Sequence, residues 1–177
     1  NRVLRVLRPY DTARRDRLQI DWAREALPVP SFTWRRALDE VTVADLVPFI
    51  DWTFFFSAWG LKGRFPAVLD HAEYGPAARE LYDHAKTMLA AIIEEGTLRA
   101  RGAYGFWPAA ADGDDLVLFA DEGRTTEAVR FPMLRQQEVV EEGRASLSLA
   151  DFVAPASTGL RDYVGAFAVT AGLGTDD

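Results

Sequence analysis

The sequence predicts an α+β domain with a mainly antiparallel sheet and flanking helices. One long segment, from about Pro76 to Glu95, has the apolar spacing of an amphipathic helix. The residues after Ala100 instead form short β-prone runs separated by turn sequences. Helices that precede strands in this way are typical of α+β proteins. A chain of 177 residues is long enough for one domain with a sizeable core.

The composition is that of an ordinary globular protein, and it excludes several classes of function. The net charge of −7 argues against nucleic acid or an anionic membrane as the main partner. The chain has no cysteine, so disulfides, thiolate metal sites and thiol nucleophiles are excluded. No apolar run approaches the length of a membrane-spanning helix, and the basic start lacks the apolar stretch of a signal peptide. We therefore expect a cytoplasmic protein with no membrane contact.

The first thirty residues predict irregular backbone. Residues 1–20 form a basic arm that is typical of a linker or of a segment that docks on another surface. Its arginines are Arg2, Arg5, Arg8, Arg14, Arg15 and Arg17. Farther along, the sequence Pro28-Val29-Pro30 favours extended backbone and ends any helix before it.

Two helices have recognisable ends. A short helix is predicted to begin after Thr42, which is a suitable N-cap, with Asp45 near the third helical position. The long helix has Pro76 in its first turn and Gly96 just past its end. Its predicted core-facing residues are Leu81, Ala85, Met88, Leu89 and Ile92.

The second half of the chain predicts strands, with one short helix over Met133–Glu142. The predicted strands are Ala103–Trp107, Leu116–Phe119, Thr125–Phe131, Ala145–Phe152 and Tyr163–Thr170. Residues 112–114 and 121–123 have the composition of turns. The run from Gly165 to Thr170 predicts a buried strand, and a buried strand usually needs a covering layer. We therefore expect the sequence to be a piece of a longer protein.

The most informative local feature is a carboxylate beside a dense aromatic run. Five aromatic residues follow Asp51 within eight positions, which is more than core packing requires, and no cation accompanies them. Asp51 can cap a helix that begins at Trp52, or it can end the preceding helix, where its charge would oppose the helix dipole. A third interpretation is a carboxylate that binds an ammonium or sulfonium ligand beside aromatic faces.

Other candidate sites are weaker. His71 and His84 have no recognisable zinc spacing. His84 flanks the apolar stripe of the long helix, so we interpret it as a packed or half-exposed structural residue. The acidic sequence 112–115 lacks the twelve-residue calcium-loop pattern and favours a hairpin turn. The glycines of the segment 101–105 match no nucleotide-binding fingerprint, and they indicate a bulge or a close backbone approach, with an approach to a ligand left open.

A set of short motifs, in order and with the same spacing, resembles the activation domain of cobalamin-dependent methionine synthase. The motifs are Ile50-Asp51-Trp52-Thr53 with Phe55 and Trp59; Arg101-Gly102-x-x-Gly105 leading to Pro108-Ala109; Gly113-Asp114-Asp115; Arg124-Thr125; Leu134-Arg135-Gln136-Gln137; Leu149-Ala150-Asp151-Phe152-Val153-Ala154-Pro155; and Asp162-Tyr163-x-Gly165-Ala166-Phe167-Ala168-Val169-Thr170. The match spans roughly residues 20–177. Each motif alone is weak, and the ordered set is specific.

The resemblance implies a C-shaped α+β fold around a twisted antiparallel sheet, and a domain that binds S-adenosylmethionine. In the family this domain docks on the cobalamin-binding domain of the same enzyme. S-adenosylmethionine then remethylates the cobalamin, while a flavodoxin or flavoprotein reductase supplies an electron. The whole enzyme is a methyltransferase that transfers a methyl group from methyltetrahydrofolate to homocysteine, and its zinc and cobalamin are held mainly outside this domain. The isolated chain is not expected to be catalytic alone.

The resemblance also assigns roles within the chain. Asp51 falls on the family's ligand-binding aspartate, so it is expected to form an ionic hydrogen bond to the amino group of S-adenosylmethionine. Arg64 is expected to belong to a basic patch that meets an acidic flavodoxin. Residues 1–20 would be the linker from the cobalamin domain, and residues 21–177 would be the N-terminal portion of the activation domain.

One departure from the family pattern is large. The family's main ligand loop, Arg-Pro-x-x-Gly-Tyr-Pro, lies downstream of the final strand motif, and the sequence ends at Asp177 without it. We therefore expect a C-terminally incomplete fold and weak binding of S-adenosylmethionine by this chain alone. The alternative interpretation is a non-catalytic interaction module that docks a cobalamin-binding domain or a flavoprotein without binding S-adenosylmethionine.

Overall fold

The computed structural model describes residues 6–138 and 143–173, and it confirms an α+β fold. Four α-helices and five strands lie within these ranges. The helices are α1 (Tyr10–Arg15), α2 (Val43–Leu46), α3 (Trp52–Ala58) and α4 (Gly75–Glu95), and the strands are β1 (Trp34–Leu38), β2 (Arg99–Asp112), β3 (Asp115–Phe119), β4 (Glu127–Pro132) and β5 (Asp162–Leu173). Among the described helices, none is both long and apolar enough to cross a membrane.

The five strands form one sheet in the order β1-β2-β3-β4, with β5 paired to β2. Strand β3 is antiparallel to both β2 and β4. Asp112 pairs with Asp115, so the two residues between them form a tight hairpin turn. Gly113 has a positive φ of 66° there, a conformation that favours glycine. The prediction of a hairpin turn at residues 112–115 is confirmed.

The chain divides into two compact units, each with its own core. Unit 1 comprises Asn1–Arg36 and Tyr104–Phe167, and unit 2 comprises Ala37–Ala103 and Ala168–Asp177. The buried core of unit 1 contains Ala109, Ala111, Leu116, Leu118, Ala150 and Val153. The buried core of unit 2 contains Phe56, Val68 and Ala78, with half-buried aromatic and aliphatic side chains packed around them.

The local helix signals of unit 2 are confirmed. Thr42 and Asp45 form a capping box at the start of α2, each side chain accepting the other residue's backbone N–H. Helix α4 ends where Gly96 adopts a left-handed conformation and donates its N–H to the Ile92 carbonyl at 3.0 Å. Of the predicted core-facing residues of α4, four are half-buried, whereas Met88 is 66% exposed.

The aromatic run after Asp51 is mainly a packing feature. The rings of Trp52, Phe55 and Phe56 pack with Phe65 and Tyr82 in the core of unit 2, with the Trp52 and Tyr82 centroids 4.8 Å apart. The expectation that this run exceeds the needs of a core is therefore wrong for three of its five members. The other two are exposed, and they are Phe54 and Trp59.

The irregular backbone predicted for residues 1–30 is wrong over α1. This helix begins after Pro9, and Ala13 within it is fully buried in unit 1. Strand β1 was not predicted either. Its sequence, Trp-Arg-Arg-Ala-Leu, lacks the apolar–polar alternation that identifies a half-buried strand, and all five residues are exposed in the structure. The backbone of Trp34 has a positive φ of 72°, which is rare for a bulky residue.

Two predictions between β4 and β5 are also wrong. The helix predicted over Met133–Glu142 is absent from residues 133–138, and residues 139–142 lie outside the described ranges. The strand predicted over Ala145–Phe152 is a loop followed by a 3₁₀ turn at Leu149–Phe152. In the first place the Gln136 N–H donates to the Leu147 carbonyl, which lies in a separate part of the loop. In the second place Ser148 caps the 3₁₀ turn through a local bond to the Ala150 N–H.

A buried cation explains why residues 133–138 and 143–152 form a loop and a 3₁₀ turn instead of the predicted helix and strand. The guanidinium of Arg135 is fully buried and donates to Asp114 at 2.6 Å, to Asp151 at 2.7 Å and to the Ser146 carbonyl at 2.6 Å. Burial opposes ionisation of Asp114, but the hydrogen bonds from Arg135 and Tyr10 outweigh it and lower the pKa of this carboxyl. A helix through residue 135 is incompatible with these three contacts, which come from separate parts of unit 1.

The side chains of β5 do not form the buried layer that the sequence predicts. Strand β5 is present, but residues 165–170 are exposed, with Phe167 at 78% and Val169 at 72%. An apolar, β-prone sequence favours the extended backbone of a strand, whereas the burial of its side chains depends on what packs against them. The prediction of a buried strand is therefore wrong for this chain.

We expect Arg135→Ala to destabilise the protein by about 3–5 kcal/mol, because it leaves the largely buried side chain of Asp151 without a cation and Asp114 with only the more distant Arg14 among the described residues. Arg130 provides a matched control, since it also contacts three carboxylates but its side chain is 37% exposed. Arg130→Ala should cost no more than about 1 kcal/mol. Denaturant unfolding of both variants measures the difference, and equal losses would show that burial of Arg135 has no special role.

Candidate functional site

Asp51 lies at the start of α3, where local backbone bonds fix its position. Its side-chain Oδ1 accepts the Phe54 N–H at 3.0 Å, and its main-chain carbonyl accepts the Phe55 N–H at 3.0 Å. The residue is therefore the N-cap of α3. The first of the structural interpretations drawn from the sequence is confirmed. The one in which Asp51 ends the preceding helix is wrong, because that 3₁₀ segment ends at Phe49 and Ile50 is its C-cap.

Capping uses only part of the carboxylate. Oδ2 of Asp51 accepts no hydrogen bond and forms no ion pair with any residue in the described ranges, and the side chain is exposed. A carboxylate has about four acceptor positions on two oxygens. The geometry therefore leaves one oxygen of Asp51 available to a ligand while the other is held by the helix.

The helix that carries Asp51 is itself firmly anchored. Thr53 accepts the Phe65 N–H through its hydroxyl oxygen at 3.1 Å, which ties the first turn of α3 to the following loop. Phe56 is completely buried, and its ring stacks on Phe65 with centroids 6.2 Å apart. Asp51 thus lies next to a rigid element, which is what a preorganised binding group requires.

Exposed aromatic rings accompany this carboxylate in sequence. Phe49 is 82% exposed, Phe54 is 73% exposed and Trp59 is 66% exposed. The Trp52 ring, by contrast, packs edge-on against Phe55 and Tyr82. The aromatic rings that remain exposed to a ligand are therefore those of Phe49, Phe54 and Trp59, and not that of Trp52, which follows Asp51 directly.

Histidine and acidic side chains do not assemble a metal site in the part of the chain that the structure describes. His71 stacks on Tyr74 with ring centroids 3.6 Å apart, and its Nδ1 accepts the Glu73 N–H at 3.2 Å. His84 is exposed on α4.

The glycines of β2 mark close approaches within each unit. In unit 1 a Cβ at Gly105 would lie 2.6 Å from the Trp34 carbonyl oxygen, so this position requires glycine. In unit 2 a Cβ at Gly102 would meet the Leu38 side chain at 3.3 Å. The predicted close backbone approach is confirmed at Gly105, whereas Gly102 meets side-chain atoms, and in both cases the nearest neighbour belongs to β1.

Unit 2 also contains two grooves that the sequence did not indicate. The first has a volume of about 290 Å³ and an apolar lining that includes Leu38, Leu46 and Val169. The second has a volume of about 460 Å³ and is lined partly by Asp39 and Arg101. Their linings come from segments far apart in sequence, so no local motif could have predicted them. Asp51 lines neither groove.

We expect Asp51→Ala to lower the free energy of unfolding by about 1 kcal/mol, because it removes the cap of α3. Asp51→Asn keeps an oxygen that accepts the Phe54 N–H and should leave the stability nearly unchanged. Thermal or urea unfolding measures both. A large loss in the asparagine variant would show that the charge of Asp51, and not only its capping bond, stabilises the fold.

Comparisons with known proteins agree with this architecture. Residues 42–177 match the family model described as the vitamin B12-dependent methionine synthase activation domain. The fold is similar to a crystal structure of the MetH reactivation domain bound to AdoHcy, with a TM-score of 0.87 and 38% sequence identity. The match covers 96% of this chain and 52% of the other, so this chain spans about half the length of that structure. The chain therefore belongs to the family of vitamin B12-dependent methionine synthase activation domains.

Proposed function

We propose that this chain contributes to binding of S-adenosylmethionine for the reductive remethylation of cobalamin in a cobalamin-dependent methionine synthase. The observation that carries the proposal is Asp51, whose Oδ2 is free of protein partners in the described structure while Oδ1 is fixed by the Phe54 N–H. The similar reactivation domain was crystallised with AdoHcy, the demethylated product of S-adenosylmethionine. Family membership and the free oxygen of Asp51 support the same assignment.

In this proposal Asp51 binds the amino group common to S-adenosylmethionine and AdoHcy. A charged hydrogen bond to an ammonium is among the stronger polar contacts available to a protein. The helix cap limits rotation of the carboxylate, so less conformational entropy is lost when the ligand arrives. Asp51 therefore serves to hold and orient the ligand, and it transfers no proton.

The contribution of this chain to the reaction is positioning. When bound on its own domain, cobalamin supplies the cobalt that accepts the methyl group of the sulfonium. A domain that orients the methyl donor and excludes water lowers the barrier by proximity. The methyltransferase activity itself, from methyltetrahydrofolate to homocysteine, belongs to the whole enzyme, together with its zinc. We assign residues 1–20 to the connection with the cobalamin domain and residues 21–177 to the N-terminal portion of the activation domain.

The electron donor in this proposal is a flavodoxin or a flavoprotein reductase. Lys62 and Arg64 are both exposed in the loop after α3, and they flank Gly63, whose φ is +146°. Two cations on one exposed loop form a small positive surface on a chain whose net charge is −7. Such a surface steers an acidic partner mainly by raising the association rate.

We expect Asp51→Asn to weaken binding of S-adenosylmethionine and of AdoHcy by a similar factor, about tenfold to a hundredfold, because both contain the amino group. If Asp51 instead met the sulfonium, only S-adenosylmethionine would be affected strongly. Calorimetric titration measures both affinities. The titrations use this chain and a longer chain that includes the Arg-Pro-x-x-Gly-Tyr-Pro loop.

The matched control is Glu80→Gln, which removes one exposed negative charge from α4 in the same unit. It should bind both ligands as tightly as the unchanged protein. Binding by the longer chain that survives Asp51→Asn would contradict the role of Asp51. No binding by either chain would favour the alternative, an interaction module that docks a cobalamin-binding domain or a flavoprotein without S-adenosylmethionine.

We expect Arg64→Glu to slow association with an acidic flavodoxin at low ionic strength, with the effect decreasing as salt is added. Arg99→Glu is the control, because it makes the same charge change at another exposed position in unit 2. Stopped-flow association at several salt concentrations measures the effect. Equal rates for the two variants would exclude a specific role for Arg64.

A further inference from the structure

The segment from Leu7 to Asp16, which we call the strap, belongs to the basic arm and packs within unit 1. We propose that the strap is a releasable tether whose docking sets how far a module attached before it can move from unit 1. This inference rests on the proposed function only in taking a cobalamin-binding domain as the upstream module. The docking itself is argued from contacts within unit 1.

The first end of the strap is held by a reciprocal pair of hydrogen bonds. The Arg8 N–H donates to the Gln137 carbonyl at 2.9 Å, and the Gln137 side-chain amide donates to the Arg8 carbonyl at 3.0 Å. Leu7 forms an antiparallel bridge with Glu138. The two Arg8–Gln137 bonds join residues that are 129 positions apart in the chain, so these contacts are tertiary and not local turns.

The middle of the strap contacts the buried ion cluster of unit 1. The Tyr10 hydroxyl donates to Asp114 Oδ2, while Asp114 Oδ1 accepts from Arg135. This bond raises the pKa of Tyr10, because the protonated hydroxyl is the donor. Arg14 lies 3.9 Å from the same carboxylate. Asp114 therefore serves both the core of unit 1 and the strap.

The far end is held by the backbone of the loop before the 3₁₀ turn. The Ser146 N–H donates to the Asp16 carbonyl at 2.9 Å, and the Asp16 side chain pairs with Arg8 at 2.9 Å. This ion pair joins the two ends of the strap to each other. The strap is thus fastened at both ends and at its centre.

The strap nevertheless buries few apolar side chains, so the free energy needed to release it is small. Ala13 is its only fully buried side chain, and Leu7 and Tyr10 are 64% and 41% exposed. A methyl group contributes far less than a large core side chain, and hydrogen bonds near the surface contribute little each. Segments with few buried apolar contacts open locally while the rest of the fold remains intact.

Release would change the geometry of any upstream module. In the docked state the chain that connects such a module departs from unit 1 near Leu7, because Arg8 is hydrogen-bonded to Gln137. In the released state the tether starts after Asp16 and gains about ten residues, which extend to about 33 Å. A domain that must alternate between docking arrangements needs a connecting segment long enough to span both. Release of the strap lengthens that segment without unfolding the core of unit 1.

The test measures hydrogen exchange in the unchanged chain and in Tyr10→Phe, which removes only the hydroxyl that contacts Asp114. The reporting amides are those of Arg8 and Ser146, and the internal reference is Ala111, which donates to Ala154 in the core region. We expect exchange at Arg8 and Ser146 to become about tenfold faster, with Ala111 unchanged. Tyr74→Phe is the matched control, since it removes a tyrosine hydroxyl bonded to the Lys62 carbonyl in unit 2. It should change none of the three amides.

A second variant, Ala13→Glu, places a charged side chain at a fully buried position. Because that charge cannot stay buried without a partner, the variant should keep the strap in the released state. We expect the Arg8 amide to lose protection and trypsin to cleave after Arg14, while Ala111 stays protected. The proposal is overturned if Ala13→Glu unfolds unit 1 as a whole, because the strap is then an integral part of the core. It is also overturned if Arg8, Ser146 and Ala111 respond equally to Tyr10→Phe. None of these measurements requires S-adenosylmethionine, so the outcome is independent of the role of Asp51.

Discussion

The buried guanidinium of Arg135 is the interaction on which the organisation of unit 1 depends. Its partners come from three separate segments: Asp114 from the hairpin between β2 and β3, Ser146 from the long loop, and Asp151 from the 3₁₀ turn. Because the side chain is fully buried, each partner must be present at once, or a charge is left without compensation. A single cation thereby fixes the course of a loop that contains little regular secondary structure.

Arg124 performs a comparable task between β2 and β5. Its guanidinium donates to the carbonyls of Ala109 at 2.7 Å and Asp162 at 2.6 Å, which lie on β2 and β5. Its Nε is buried and has no hydrogen-bond partner among residues 6–138 and 143–173, and its backbone is left-handed with φ of 57°. Both features cost free energy. The two carbonyl bonds and the flanking rings of Phe119 and Tyr163 offset that cost. Unit 1 is therefore organised by arginines that satisfy carbonyls and carboxylates from distant segments.

This organisation explains which elements the sequence could predict. Helix α4 and the capping box of α2 were predicted because their signals lie within a few residues of each other: Pro76 and Gly96 for α4, and Thr42 and Asp45 for α2. The hairpin at Gly113 was predicted for the same reason. Strand β1 and helix α1 were missed because they depend on partners far along the chain. The helix predicted through Arg135 was wrong because a periodic pattern does not show that one of its residues binds distant carboxylates.

The candidate site was partly predictable for a related reason. The motif around Asp51 made this residue the candidate, but the sequence left open whether it caps the following helix or ends the preceding one, and the structure shows that it is the N-cap of α3. What local pattern could not resolve is whether capping and ligand binding exclude each other. They do not, because the helix uses one oxygen at 3.0 Å and the second remains without a protein partner in the described structure. A cap limits the rotation of the carboxylate and leaves half of its acceptor positions open. The structural role of Asp51 is therefore a condition for its proposed binding role, since an uncapped side chain on an exposed helix end would first have to be ordered before it could hold a ligand.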